Sequence, residues 1–166
     1  CGNNSNPENK ARAAHSHDHA AMEQVQTATT ANPVLKNDKL NAVYQHYIHL
    51  TTALTNGDVA EAKIAANAIE AGSKSINGAS GIASSAEKIM AAPDMAAQRT
   101  SYSGMSKDIA ELIKKEGLSG GELYVAFCPM ALNDKGATWI SGSREIRNPY
   151  FGEKMLGCGE VKETIK

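Results

Sequence analysis

The chain is expected to be α+β and mainly α, with an antiparallel bundle of about four helices followed by a small β-hairpin that carries a Cys/Met motif. Three observations predict this class. Apolar residues recur every three or four positions from about 37 to about 115. Asn, Asp and Gly stand where those stretches begin and end. After Gly120-Gly121 the composition turns to short β-branched and aromatic runs separated by turn residues.

The first helix is read from Leu40, Val43, Tyr44, Tyr47, Leu50, Thr51 and Leu54, with Asn37 or Asp38 as its cap and Gly57 behind it. Asp58, followed three residues later by Glu61, is a variant of the capping box. It opens a second helix with Ile64, Ala65, Ala68 and Ile69 on one side, ending at Gly72. Its alanines let neighbouring helices approach closely. Residues 72–81 read as a Ser-, Gly- and Asn-rich loop. Ser84 and Glu87 repeat the capping-box spacing ahead of a short third helix that runs to Met90 and is stopped by Pro93. A fourth helix is expected from about 94 to 115, with Tyr102, Met105, Ile109, Leu112 and Ile113 as its stripe and Gly117 at its end.

Leu123-Tyr124-Val125-Ala126-Phe127 and Ala137-Thr138-Trp139-Ile140-Ser141 are the two strand-like runs, and Asn133-Asp134-Lys135-Gly136 between them is hairpin turn chemistry. Cys128 and Met130 then leave the first strand at or near its end, with Pro129 stiffening the backbone between them. Asn148-Pro149-Tyr150-Phe151-Gly152 reads as a turn able to bring Met155 and Cys158 back over the hairpin. Trp139 is expected to fill the core of that small unit rather than to stack beside a metal.

Residues 1–36 differ from all of this. They are Asn, Ala, Thr, Gln and His with few large apolar side chains, too little to offset the entropy of ordering a backbone. They are read as a tether, and residues 37–166 as a single domain. Cys1 is expected to be a lipidated residue left by a lipoprotein signal peptide, with Gly2-Asn3-Asn4-Ser5-Asn6 as a flexible spacer. The setting that follows is the oxidising periplasmic side of a Gram-negative membrane, the outer membrane being favoured. His15, His17 and His19 form a His-rich tract in the tether, which could collect divalent metal or serve only as polar spacer.

The formal charge of the 166 residues is -1, with no basic stripe of the kind a nucleic-acid binder shows. No run of about 18 apolar residues exists to span a bilayer. There is no Gly-rich phosphate loop, G-x-S-x-G elbow or His-Glu-x-x-His, and the best thiol nucleophile, Cys128 with His46 as base, lacks a third group to orient the histidine. A Cys-x-x-Cys redox pair is absent too. An enzyme is therefore not expected.

What remains is sulfur. Cys128-Pro129-Met130 is answered by Met155-Leu156-Gly157-Cys158, two thiols and two thioethers. Soft donors of this kind select copper(I) over cations that prefer oxygen, so Cys128, Met130, Met155 and Cys158 are the expected ligands of a copper(I) site. A disulfide between Cys128 and Cys158 is the rival, worth about 3 to 4 kcal/mol by loop closure. The methionine beside each cysteine favours the metal, because a covalent staple needs neither. A further alternative is zinc held by Cys128, Cys158, His46 and His49 as a Cys2His2 set. On the helical wheel His46 flanks the apolar stripe and His49 lies nearly opposite, so only His46 is retained as an extra ligand.

Phe127-Cys128-Pro129-Met130-Ala131, Trp139-Ile140-Ser141, Ile146, Asn148-Pro149-Tyr150-Phe151-Gly152, Met155, Cys158-Gly159 and Val161 together resemble a bacterial family catalogued as domain of unknown function 3347. The stretch from Tyr47 to Leu54 and the Ala-rich second helix are similar to that family as well. Some of its members are stand-alone lipoproteins and others are segments of periplasmic adaptor subunits in heavy-metal efflux systems. The resemblance therefore implies metal handling, with Cys128, Met130, Met155 and Cys158 as carried-over site residues. Together with the sulfur motif and the lipid expected at Cys1, this leads to the expectation of a lipid-anchored protein that binds copper(I) and hands it to an efflux-system partner.

Overall fold

A computed structural model of the protein describes residues 32–166. Four helices form the larger part: α1 (Asp38–Asn56), α2 (Val59–Ser73), α3 (Ser80–Ala91) and α4 (Met95–Glu116). The Asn37 side chain accepts from the Leu40 N–H to start α1, Asp58 accepts from Glu61 to start α2, and Asp94 accepts from Ala97 to start α4. Each bond satisfies an amide that the helix itself leaves unpaired. Gly57 closes α1 in the left-handed region at φ 73, where a side chain would be strained.

One helix start differs from expectation. α3 begins at Ser80, four residues before Ser84, and has no side-chain cap of its own. The Asp108 carboxylate on α4 lies against Gly81 in its first turn, so closely that a Cβ there would strike it. A negative group at that end of a helix is electrostatically favourable. The start is thus set by packing of Ile82, Ala86 and Ile89 and by Asp108, which local spacing does not reveal.

The stripes meet in one core. Leu40, Tyr47, Leu50 and Leu54 of α1, Ala62, Ala66 and Ile69 of α2, Ile82 and Ile89 of α3, and Tyr102, Met105, Ile109 and Ile113 of α4 are fully enclosed. Chain-adjacent helices pack on one another, as short links require. No helix among the described residues is long and apolar enough to cross a membrane.

Two small sheets complete the fold. β1 (Val34–Leu35) and β2 (Leu118–Gly120) form an antiparallel pair beside the bundle. The buried Leu35 therefore belongs to the packed unit, although its composition groups it with the tether. The second sheet has three antiparallel strands rather than two: β3 (Leu123–Cys128) lies between β4 (Ala137–Ser141) and β5 (Glu160–Ile165). The last strand escapes a pattern search because Glu160, Lys162 and Glu163 interrupt its apolar residues and a bulge shifts its register between Val125 and Ala126. β4 packs on α4, and Tyr47 on α1 reaches it with a hydroxyl that accepts from the Ile140 N–H at 3.0 Å.

The link between β3 and β4 also departs from a plain hairpin turn. It is a short helical turn, Ala131–Asp134, in which Leu132, Asn133 and Asp134 all have φ near 60°. Asn and Asp tolerate that region, whereas for Leu it costs about 1 to 2 kcal/mol. Ala131, fully buried, and Leu132, packed on the core, hold the turn in place.

Candidate metal centre

The sheet register brings the two halves of the sulfur motif together. Cys128 is the last residue of β3, and Phe127 pairs with Glu160 at the start of β5, so Cys158 falls beside the end of β3. The two sulfur atoms lie 2.7 Å apart. Cys128 is completely buried, while Cys158 is partly open to solvent. The hydrogen bond to Cys128, and next burial, push the Cys158 thiol above its ordinary range.

Several side chains hold this approach, and they are residues that motif reasoning read only as a rigid turn or did not single out. Asn148 is fully buried; its Nδ2 donates to the Cys158 carbonyl at 2.8 Å, and its Oδ1 accepts from the N–H groups of Tyr150 and Phe151. Its own N–H donates to the Leu156 carbonyl at 2.8 Å. One side chain thus fixes both ends of the 148–158 loop. Arg99 on α4 ties that loop to the bundle, donating from Nε to the Pro149 carbonyl at 2.7 Å and from Nη2 to the Leu54 carbonyl at 2.8 Å. Burial lowers its pKa, but a guanidinium remains charged at any ordinary pH. The Tyr150 hydroxyl donates to the Thr138 carbonyl at 2.6 Å, and its ring meets Trp139 edge-on. The signal available for Asn148 was Asn before Pro, where the side chain commonly bonds backbone two residues on.

Backbone closeness supplies the rest. Gly159, at φ 132, lets the chain pass Trp139: a Cβ there would sit 2.9 Å from the indole and 3.0 Å from the Phe127 carbonyl. Trp139, 2 % exposed, is a core residue as expected. Gly157, by contrast, faces open space. The chain is therefore closely packed just after Cys158, while just before it Gly157 has open space on its Cβ side and the backbone is held by the Asn148 N–H on the Leu156 carbonyl.

The methionines stand two and three positions along the chain from these cysteines and are not buried. Met130 stands on the turn after β3 at 47 % exposure, and Met155 closes a short 3-10 turn, Gly152–Met155, at 37 %. Thiols and thioethers together are a chemically suitable donor set for a soft ion. Two sulfurs bound to one tetrahedral ion, at about 2.3 Å each, stand roughly 3.8 Å apart. The present 2.7 Å would have to widen by about 1 Å to admit such an ion.

The Cys2His2 zinc arrangement is not assembled. Among the described residues no group of three or more His, Cys, Asp or Glu side chains is placed to hold a metal ion. His46 is exposed on α1, apart from the thiols, and it is His49 that the fold engages, its Nε2 lying 2.6 Å from Glu61 of α2. The wheel placed these two the other way round. It did not include the second helix, which packs along the His49 flank. Cys1, His15, His17 and His19 lie outside the described residues.

No curated protein and no solved structure matches the chain. A family model does: the one described as Protein of unknown function (DUF3347) matches residues 43–121, which run from α1 through the bundle to the residue after β2 and stop short of Cys128. That match supports the resemblance to the DUF3347 family, and it does so on the helical part of the domain.

Proposed function

We propose that this domain is a copper(I)-binding module, with Cys128 and Cys158 as its principal ligands and Met130 and Met155 as supplementary thioether donors. The observation that supports this reading is the convergence of the two thiols across the β3–β5 register, with an exposed methionine on the turn next to each. Thiolate binds copper(I) strongly, and a thioether needs no deprotonation, so such a set would keep its metal over a wide pH range. A membrane-anchored, periplasmic setting and transfer to an efflux system are part of the same proposal. The match to a family of unknown function gives them no further support.

The test is an anaerobic copper(I) titration of the reduced chain against a chromophoric chelator, with Cys1→Ser and with His15, His17 and His19 replaced by alanine to isolate the domain. One equivalent should bind, and Cys128→Ser should abolish it. Met130→Leu and Met155→Leu should each weaken it by about tenfold, the low end of what partners outside the principal ligands contribute. Equal uptake by the parent and by Cys128→Ser would overturn the reading.

The same 2.7 Å contact favours a second reading, in which Cys128 and Cys158 form a disulfide that staples the loop without any metal. A thiol count on the unreduced protein separates the two states.

A further inference from the structure

Two cysteines thirty positions apart in sequence do not form a Cys-x-x-Cys pair, yet the fold brings their sulfurs into contact and gives them unequal access to solvent. Cys128 is fully buried within the core. Cys158 is partly exposed, follows a Gly157 with open space on its Cβ side, and its carbonyl accepts from the Asn148 side chain. An incoming sulfur can therefore reach one member of the pair only. We propose that the oxidised pair is a thiol–disulfide exchange site opened at Cys158, reduced by a protein dithiol of the Cys-x-x-Cys class.

The chemistry is a two-electron transfer in two displacements. A thiolate of the external dithiol attacks Cys158 Sγ. The new bond joins the external sulfur to Cys158, the Cys158–Cys128 bond breaks, and Cys128 leaves as a thiolate that takes a proton from solvent. The second external thiolate then attacks its own partner sulfur. The mixed disulfide breaks, Cys158 leaves as a thiolate and is protonated, and the external dithiol ends as a disulfide. The protein gains two electrons and two protons. The buried Cys128 serves as the leaving and re-closing sulfur. The proposal shares its two cysteines with the copper reading but does not depend on copper binding, and it would let an external reductant decide when the thiols become available.

The test uses the full 166-residue chain with Cys1→Ser, oxidised with a mild disulfide oxidant. The probe is a Cys-x-x-Cys protein whose second cysteine is replaced by serine, so that the mixed disulfide is trapped, and the adduct is located by peptide mass mapping. We expect it on Cys158, in at least about tenfold excess over Cys128, as the difference in access requires. In the reduced chain, substoichiometric iodoacetamide should likewise tag Cys158 ahead of Cys128. An adduct on Cys128, an even split, or no adduct while dithiothreitol readily reduces the pair would each overturn the proposal. So would a chain that keeps two free thiols after oxidation. The copper(I) titration of reduced protein is a separate measurement, so either idea can fail alone.

Discussion

The helical bundle and the three-stranded sheet with its loop are built on different principles. In the bundle, three of four helices are started by a side chain three residues from the amide it caps, and stability comes from enclosing Ala, Leu and Ile between neighbours in the chain. In the sheet unit the decisive bonds are long-range and run from side chains to backbone: Arg99 to Pro149, Asn148 to Cys158, Tyr150 to Thr138 and Tyr47 to Ile140. Losing a contact in the bundle should therefore cost stability everywhere, whereas losing one in the sheet unit should first cost the placement of the two sulfurs. The family match, which covers the bundle and ends before the sulfur motif, divides the chain along the same line.

The largest expected effect is in the bundle. Ile69→Ala removes a fully buried side chain from α2 and should lower unfolding free energy by about 3 kcal/mol in urea denaturation. The rate at which Cys128 and Cys158 pair should stay unchanged, and slowed pairing would break the distinction between the regions. Asn148→Ala should cost somewhat less, about 2 to 3 kcal/mol, because it leaves the Tyr150 and Phe151 amides without an acceptor. Its more telling effect is slower thiol pairing in an oxidation time course. Should pairing keep its rate, Asn148 does not position Cys158.

Tyr47→Phe sits on the boundary between the two. It deletes the hydroxyl that serves Ser106, Tyr102 and the buried Ile140 amide, and about 2 kcal/mol should be lost by the same measurement. A cost near zero would show that the sheet does not need the bundle for its outer strand. The smallest effect is at a cap: Asp58→Ala should cost about 1 kcal/mol, spread over the whole transition and leaving the sulfur chemistry untouched. For the reduced protein, the upward shift at Cys158 predicts that native structure favours the protonated thiol. That contribution to stability is complete below the thiol's unfolded pKa and is lost as pH rises through the folded one. Alkylation of Cys158 followed against pH should thus rise later than that of a free cysteine.

The parts of this molecule that were legible in its sequence are those whose determinants are local. Asn37, Asp58 and Asp94 lie beside the helices they start, and the stripes of α1 and α4 repeat with the helical period, so type and boundaries could be read within a few residues. α3 was misplaced because its start answers to Asp108, far along the chain. β5 was missed because a bulge and three charges hide its alternation, and without β5 the meeting of Cys128 with Cys158 stays a guess. The cysteines stood out by chemistry alone. Arg99 did not, since one basic residue on a polar-looking helix carries no mark of the two carbonyls it will find.

The hydroxyl that Tyr47 offers to β4 has a consequence for hydrogen exchange. A strand at a sheet edge normally leaves alternate amides to water, and these exchange through local fraying with little protection. Here the Ile140 amide donates to a side chain planted in the middle of α1 and buried among Ser106 and Tyr102. Freeing it requires the aromatic cluster to separate. Ile140 should consequently exchange on the slow timescale of the bundle core, so that one edge amide reports on the whole helical unit.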